Sequence, residues 1–289
     1  MEILRYNAFS SGPGGGNPAG VVLDAGDVDE HTMQQTARAV GYSETAFVRP
    51  QSDGTLDIRY FSPECEVPFC GHATIATAVA YAERNGVGPM RLRTLAGPVS
   101  VATKRKADGS ISATLVSVPP QTTPISDADL ETLLAALGWP RTDLDPALPP
   151  MAAYAGAWHP IIGAGTRERL ADLDYDMDRL LKLMDRLGWA TIDLVWRESP
   201  TVFHARNPFP PGGVVEDPAT GAAAAALGGY LRELSLIATP ASIEIHQGQD
   251  MGRPSLITVD IPADHGSGIS VTGGATPIAA DETPEGGEA

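Results

Sequence analysis

Cysteine is almost missing from this chain. The two present, Cys65 and Cys70, stand five residues apart. Two thiols cannot build the disulfide framework of a small secreted domain, and they are expected as reduced thiols in a cytoplasmic protein. There is no CxxC and no paired-histidine spacing, whereas zinc takes about four closely arranged ligands, so no metal site is expected. Long apolar runs are missing too: no stretch approaches the roughly 18 apolar residues that cross a membrane. The opening MEILRYNAFSS has no basic region followed by an apolar run, so neither a signal peptide nor membrane contact is expected. Positive charge is short, with 20 Lys and Arg against 36 Asp and Glu and a net charge of −16. Such a surface repels phosphate backbones, which excludes nucleic acid as a partner. It does not draw in a small acid from a distance either, so an acidic substrate needs a local attraction.

What is there is a globular composition, 43% apolar and 19% charged, in a chain of 289 residues, long enough for two cores. It is also written twice, with a repeat of roughly 150 residues. The helix-like run VDEHTMQQTARAV leads into Gly41 and the strand-like YSETAFV, and MDRLLKLMDRL leads into Gly188 and WATIDLV. Each reads as helix, glycine stop, aromatic, small residue, then strand. EVPFCGHA (66–73) aligns with EDPATGAA (216–223), and each runs into an alanine-rich helix. Gly97 and Gly248 then sit at matching places between strand-like runs. Three ordered matches point to a duplicated α+β domain. The proline-, serine- and threonine-rich SVPPQTTPISD (117–127) marks the boundary. The expected organisation is a first repeat at 1–118, a second at 119–267, a terminal strand region at 268–280 that returns to the first domain, and an acidic disordered tail at 281–289.

Each repeat presents a glycine, Gly71 or Gly221, at a helix start among small residues: Cys70 and Ala73 in one copy, Thr220 and Ala222 in the other. The first helical N–H groups have no partner within the helix, and the positive end of the helix dipole lies there. Glycine admits a ligand close to that backbone. Two such ends facing each other would clasp a carboxylate or an enolate-like anion, with about 0.3–2 kcal/mol from each charge–dipole contact. One Gly-Ala helix start is usually just close packing; two equivalent copies favour a site.

These segments resemble a known family. GNPAGVVL (16–23), YSETAFV (42–48), FCGHATIATA (69–78), GVVEDPATGAAAA (213–225) and HQGQDMGRPS (246–255) look like the motifs of the PhzF-like phenazine-biosynthesis isomerases, which have a diaminopimelate epimerase-like fold. The resemblance covers nearly the whole chain in order. It implies two similar domains, each an antiparallel barrel-like sheet around a central α-helix, with the active site in the cleft between them. It implies an isomerase that moves a proton on a small carboxylic or amino acid, with no metal and no organic cofactor, usually as a homodimer. Carried over by position, Glu44 matches the catalytic carboxylate, His72 the histidine after the helix-start glycine, and Asp217 the aspartate of the EDPATG motif.

The residues support these roles on their own chemistry. A 1,3-proton shift needs one group that takes a proton and returns it nearby, which a buried carboxyl does. Glu44 precedes an apolar strand, and its repeat counterpart is Thr191, which cannot act as a base. Without the repeat, Glu44 reads as an exposed strand-end carboxylate, and His72 as an ordinary helix-start residue. Asp217 is also a natural cap for the helix that follows. Asn17, before Pro18, either donates to a ligand or holds its turn. Two departures stand out. Phenazine-pathway members carry serine where this chain has Ala222, which argues against a phenazine precursor as substrate. Cys70 stands where racemases of this fold keep a catalytic cysteine, opposite Thr220. That pairing resembles hydroxyproline dehydratases and gives the alternative, a proline racemase-like or dehydratase-like enzyme using Cys70. A second alternative is a catalytically silent small-acid-binding or scaffold protein.

Overall fold

The computed structural model describes residues 1–279, and the acidic tail expected at 281–289 lies outside the described residues. The chain divides into two compact units, Met1–Leu115 together with the chain from Gly273, and Val116–Thr272.

The first unit runs β1 (Leu4–Ala8), β2 (Asn17–Val22), α1 (Glu30–Val40), β3 (Glu44–Pro50), β4 (Leu56–Phe61), β5 (Glu66–Val67), α2 (Gly71–Asn85), β6 (Pro89–Thr94), β7 (Gly97–Arg105) and β8 (Ile111–Val116). The second runs β9 (Gln121–Pro124), α3 (Asp127–Leu137), β10 (Met151–Tyr154), β11 (Trp158–Gly163), α4 (Arg167–Ala171), α5 (Met177–Leu187), β12 (Asp193–Ser199), β13 (Val202–Phe209), β14 (Val214–Asp217), α6 (Gly221–Glu233), β15 (Ala241–Gln247) and β16 (Ser255–Ile261). The last strand, β17 (Ser270–Pro277), pairs with β16 through its first residues and with β1 through its last. In the first unit the ladder β1-β2-β3-β4-β6-β7-β8-β17 returns to β1 and closes a barrel. The pairings are antiparallel except β2–β3 and β4–β6, where α1 and α2 make the crossovers that parallel neighbours require. The second unit repeats this with parallel pairs β11–β12 and β13–β15.

Each unit is threaded by its alanine-rich helix. In α2 every residue from His72 to Ala80 is buried, and in α6 every residue from Ala223 to Arg232. A helix enclosed on all sides must keep its side chains small where strands come close. At Gly229 of α6 even a Cβ would lie 2.3 Å from Pro120, so that contact admits only glycine. The outer helices pack on the sheet by amphipathic faces. Met33 and Ala37 of α1 meet Val22, Phe47 and Phe61, and leucines of α3 and α5 meet Trp139, Ile162, Ile192 and Leu194. Helices α1 and α5 each end on a left-handed glycine, Gly41 and Gly188, at φ 74° and 67°. The segment expected as a linker, 117–127, contains β9, whose threonines pair with β10. Helix α3 was not legible as such. It starts on Ser126, whose hydroxyl accepts from the Asp129 N–H, directly after the proline-rich stretch.

The second unit also buries a polar quartet, His159, Thr191, Asp193 and Asn207, each 3% exposed or less. The Thr191 hydroxyl donates to Asn207 Oδ1 at 2.7 Å, so His159 Nδ1, 2.9 Å from that hydroxyl, is the protonated ring nitrogen. Asn207 Nδ2 donates to Asp193 Oδ1 at 3.1 Å. His159 Nε2 and Asp193 Oδ2 have no hydrogen-bond partner. Burial pushes the His159 pKa down to about 4 and the Asp193 pKa up to about 7. Folded Asp193 therefore keeps a proton that the unfolded chain releases between about pH 4 and 7, so this group's stabilisation is lost as pH rises. His159 acts in the opposite sense, because the unfolded chain takes up its proton below about pH 6.5. In Asp193→Asn only the histidine slope remains. Its stability relative to the wild type should rise between pH 4 and 7, by up to about 1.4 kcal/mol per pH unit. Denaturant titrations across that window check this, and parallel pH curves for the two proteins would contradict it.

Candidate active site

The repeat carries a device that the motif comparison did not reveal. Arg59 on β4 stands opposite Phe47, and Arg206 on β13 stands opposite Leu194. From these equivalent places each arginine grips the glutamate of the next short strand. Arg59 Nε and Nη2 donate to the two oxygens of Glu66 at 2.5 and 2.6 Å. Arg206 Nε donates to Glu216 Oε2 at 2.9 Å, its Nη2 donates to the other oxygen, and its Nη1 donates to the Ala171 carbonyl at 2.6 Å. Both forks are bidentate, the strongest geometry for this pair. Each fixes a strand that passes through a proline into a helix start, at Cys70 and Thr220. The ladder Phe61↔Glu66 and Pro208↔Glu216, with the Ile192 N–H donating to the Pro208 carbonyl, places Thr45 opposite Phe61 as Ile192 is opposite Pro208. Glu44 and Thr191 are therefore structural counterparts.

At the first helix start, three side chains converge. Glu44 is the first residue of β3 and its side chain is 17% exposed. Cys70 is the N-cap of α2 and His72 its second residue, both buried. The Cys70 thiol donates to Glu44 Oε2 at 3.4 Å and lies 3.4 Å from His72 Nδ1. His72 Nε2 lies 3.3 Å from Glu44 Oε2 and 3.3 Å from the Ser43 hydroxyl. Cys70 thus touches both groups. Its backbone is held from behind, where the Thr74 hydroxyl donates to the Cys70 carbonyl at 2.6 Å and shares a 2.6 Å bond with Tyr60. At Gly71 an added Cβ would meet nothing within 4 Å, so the space beside this glycine is open, while Ala73 faces the core. Asn17 is buried at the start of β2, two residues before Ala19, the ladder neighbour of Glu44. A carboxylate against an imidazole and a thiol is a proton-handling arrangement. The three side chains are also of metal-ligand type, with donor atoms within 4.8 Å of one another, but the Cys70 sulfur is nearer His72 Nδ1 than Nε2 and lies beside the ring, away from any ion held on the Nε2 lone pair. Glu44 comes from a strand distant in sequence, so no spacing motif announces it.

The second helix start is built differently. Asp217 ends β14, and its Oδ2 accepts from the Thr220 hydroxyl at 2.5 Å. The hydroxyl of Thr220, the N-cap of α6, therefore faces the aspartate and makes no cap bond to the helix. Gln247 organises this turn. Its Oε1 accepts from the Thr220 N–H at 3.0 Å, and its Nε2 donates to the Asp217 carbonyl at 2.7 Å and to Thr220 Oγ1 at 3.0 Å. The neighbouring Gly248 has φ 75°, and a Cβ there would lie 2.7 Å from the Pro218 carbonyl, so this crossing needs glycine. Gly221 and Ala222 open the helix, half-buried, with Ala222 at the position of His72 in the other unit. Ser43, Gln247, Arg59 and Arg206 were not singled out from sequence. Ser43 and Gln247 lie inside quoted motifs, and the two arginines lie outside them.

A profile of the phenazine biosynthesis-like protein family matches residues 6–280. The chain belongs to that family. It is 33% identical to an uncharacterized isomerase of Bacillus subtilis, with 90% of each chain covered. It is 35% identical to a trans-2,3-dihydro-3-hydroxyanthranilate isomerase of Pseudomonas aeruginosa, with 88% of each covered. The crystal structure of a phenazine biosynthesis protein of the same family from Bacillus anthracis superposes with a TM-score of 0.86 at 26% identity, covering 96% of this chain and 98% of that one. A protein from Agrobacterium radiobacter described as a probable proline racemase shares the fold, with a TM-score of 0.63 at 13% identity over 98% and 94% of the chains. This family member is therefore an isomerase with a diaminopimelate epimerase-like fold. Among its described residues no helix is long and apolar enough to cross a membrane.

The two clamps differ in burial, with side chains 9% and 4% exposed for Arg206 and Glu216 against 26% and 18% for Arg59 and Glu66. Removing one partner of a buried pair strands the other charge. Glu216→Ala should cost about 3–5 kcal/mol and Glu66→Ala about 1 kcal/mol. Chemical denaturation checks this, and equal losses would show that burial does not set the difference.

Proposed function

We propose that this protein is a cofactor-independent isomerase that moves a proton on a small carboxylic or amino acid by general acid–base catalysis. Glu44 is the group that takes the proton and returns it. The observation that carries this reading is the convergence of Glu44, Cys70 and His72 at an open helix start. His72 Nε2, 3.3 Å from Glu44 Oε2, orients the carboxyl and exchanges its proton. The first N–H groups of α2 offer a carboxylate the local attraction that the net charge of −16 denies it at long range. Asn17, in the same unit as Glu44, binds the substrate; in the second unit Asp217 and Thr220 form a hydrogen-bonded pair at the equivalent helix start. Ala222 supplies no hydroxyl beside them, which favours a substrate other than the trans-2,3-dihydro-3-hydroxyanthranilate of the named relatives.

One observation favours a thiol route as the second reading. The Cys70 thiol already donates to Glu44, so a sulfur base stands as close to the open helix start as the carboxylate does. The two routes separate in mutants. Glu44→Gln keeps shape and removes the base, and turnover should fall by about two to four orders of magnitude. Cys70→Ala should cost far less, while alkylation of Cys70 blocks the site by bulk. The assay is a panel of cyclic and amino acids that includes the relatives' substrate. Abolished turnover in Cys70→Ala with near-normal Glu44→Gln would replace the carboxylate route by the thiol route.

A further inference from the structure

Two buried hydroxyls stand behind the first helix start, and the proton-transfer scheme uses neither. Tyr60 on β4 and Thr74 on α2 are both 0% exposed. The Thr74 hydroxyl has one proton and donates it to the Cys70 carbonyl at 2.6 Å, so the Tyr60 hydroxyl, 2.6 Å from Thr74 Oγ1, is the donor in that bond. Burial pushes the Tyr60 pKa up, so the phenol keeps its proton. Its ring stands edge-on to Phe69, the neighbour of Cys70 in the chain, with centroids 6.0 Å apart. The Cys70 carbonyl also accepts from the Thr74 N–H at 3.0 Å. It therefore takes two hydrogen bonds, one of them backed by a second hydroxyl. The other unit builds the same helix start without this chain. Ala224 stands four residues after the N-cap Thr220, as Thr74 does after Cys70, and has only its N–H to offer the Thr220 carbonyl, at 3.0 Å. Asn207 follows Arg206 as Tyr60 follows Arg59, and its side chain is bonded to Thr191 and Asp193. A barrel with an enclosed helix thus forms without the two hydroxyls, and they belong to the unit that carries Glu44.

We propose that Tyr60 and Thr74 are positioning residues that act through the Cys70–Gly71 peptide group and tune it to hold the substrate's carboxylate. The Cys70 carbonyl and the Gly71 N–H are the two ends of one peptide. Hydrogen bonds to its oxygen draw electron density toward that end and make the N–H a stronger donor. In a dry interior, bonds in a chain polarise one another, so the Tyr60 hydroxyl strengthens the bond that Thr74 makes. The Gly71 N–H heads α2 and has no acceptor within the helix, and an added Cβ at Gly71 would meet nothing within 4 Å. A backbone N–H gives a carboxylate a charge-assisted hydrogen bond, about twice as strong as a neutral one. The carboxylate is thereby assigned to the helix start beside Glu44, and Thr220 of the other unit offers no such polarised peptide. The ligand half of this proposal rests on the isomerase reading; the polarised peptide stands without it.

The test compares Tyr60→Phe, Thr74→Val and Thr74→Ser with the wild type. Thr77→Val is the control, because Thr77 is buried three residues on in α2 and its hydroxyl has no hydrogen-bond partner. Thermal melts confirm that each variant folds. NMR reads the peptide directly, through the carbon-13 shift of the Cys70 carbonyl and the nitrogen-15 shift of the Gly71 amide. Both should move upfield in Thr74→Val and, by less, in Tyr60→Phe, and should stay near the wild-type values in Thr74→Ser and Thr77→Val. On a carboxylate of the substrate panel that the enzyme turns over, KM should rise about tenfold in Thr74→Val and about two- to threefold in Tyr60→Phe, with kcat held. A chain that only kept the helix start in place would lower kcat instead, by moving His72 away from Glu44. Unmoved shifts in Thr74→Val, or in Tyr60→Phe should Thr74→Val not fold, overturn the polarised peptide. A fall in kcat without a rise in KM overturns the carboxylate role. Failure of the isomerase reading shows separately, as undiminished turnover in Glu44→Gln, and leaves the NMR result standing.

Discussion

The fork of an arginine on the carboxylate of the next strand is what aims each central helix. In both halves the chain must leave a sheet, turn through a proline and enter the interior of a barrel. The turn is short, so a small error in the angle of β5 or β14 would displace the start of α2 or α6. Arg59 holds Glu66 and Arg206 holds Glu216 from the neighbouring strand, in equivalent registers. A bidentate pair fixes direction as well as distance. Everything proposed for the first unit depends on this, because Cys70 and His72 reach Glu44 only if α2 begins where it does.

The second constraint is enclosure. A helix surrounded by a closed sheet has no solvent face, which explains why α2 and α6 are built from alanine and glycine. It also restricts where chemistry is possible. In each unit a group of polar side chains gathers at the helix start. The two starts then diverge. One holds a carboxylate, an imidazole and a thiol; the other holds an aspartate and a threonine stitched together by Gln247. Duplication supplied two equivalent frames, and different side chains occupy them. His159, Thr191, Asp193 and Asn207 show the divergence from the inside, since the position equivalent to Glu44 is filled by Thr191 in a sealed polar cluster.

Much of this is legible in the sequence. The glycine stops after α1 and α5, the paired helix starts and the family motifs led to the repeat, the fold and the positions of Glu44, Cys70 and His72. What was hidden depends on pairing between strands distant in sequence. Arg59 and Arg206 look like ordinary strand residues until the register sets Glu66 and Glu216 opposite Phe61 and Pro208, two residues along the same strands and within the arginines' reach. The stretch 117–127 reads as a linker from its prolines, because β9 draws its stability from β10 and not from its own composition. The convergence of Glu44 with Cys70 and His72 was hidden for the same reason, since one comes from β3 and the other two from the start of α2. Helix α3 was missed beside that proline-rich segment although its Ser126 cap and leucines were in view.

The account stands on Glu44 as the group that exchanges a proton with carbon. The most direct measurement is deuterium exchange from D₂O into substrate carbon, located by NMR, for the wild type, Glu44→Gln and Cys70→Ala on the same compound. The account predicts exchange at one carbon position in the wild type, its persistence in Cys70→Ala and its loss in Glu44→Gln. Exchange that survives in Glu44→Gln and vanishes in Cys70→Ala would contradict it and assign the proton to sulfur.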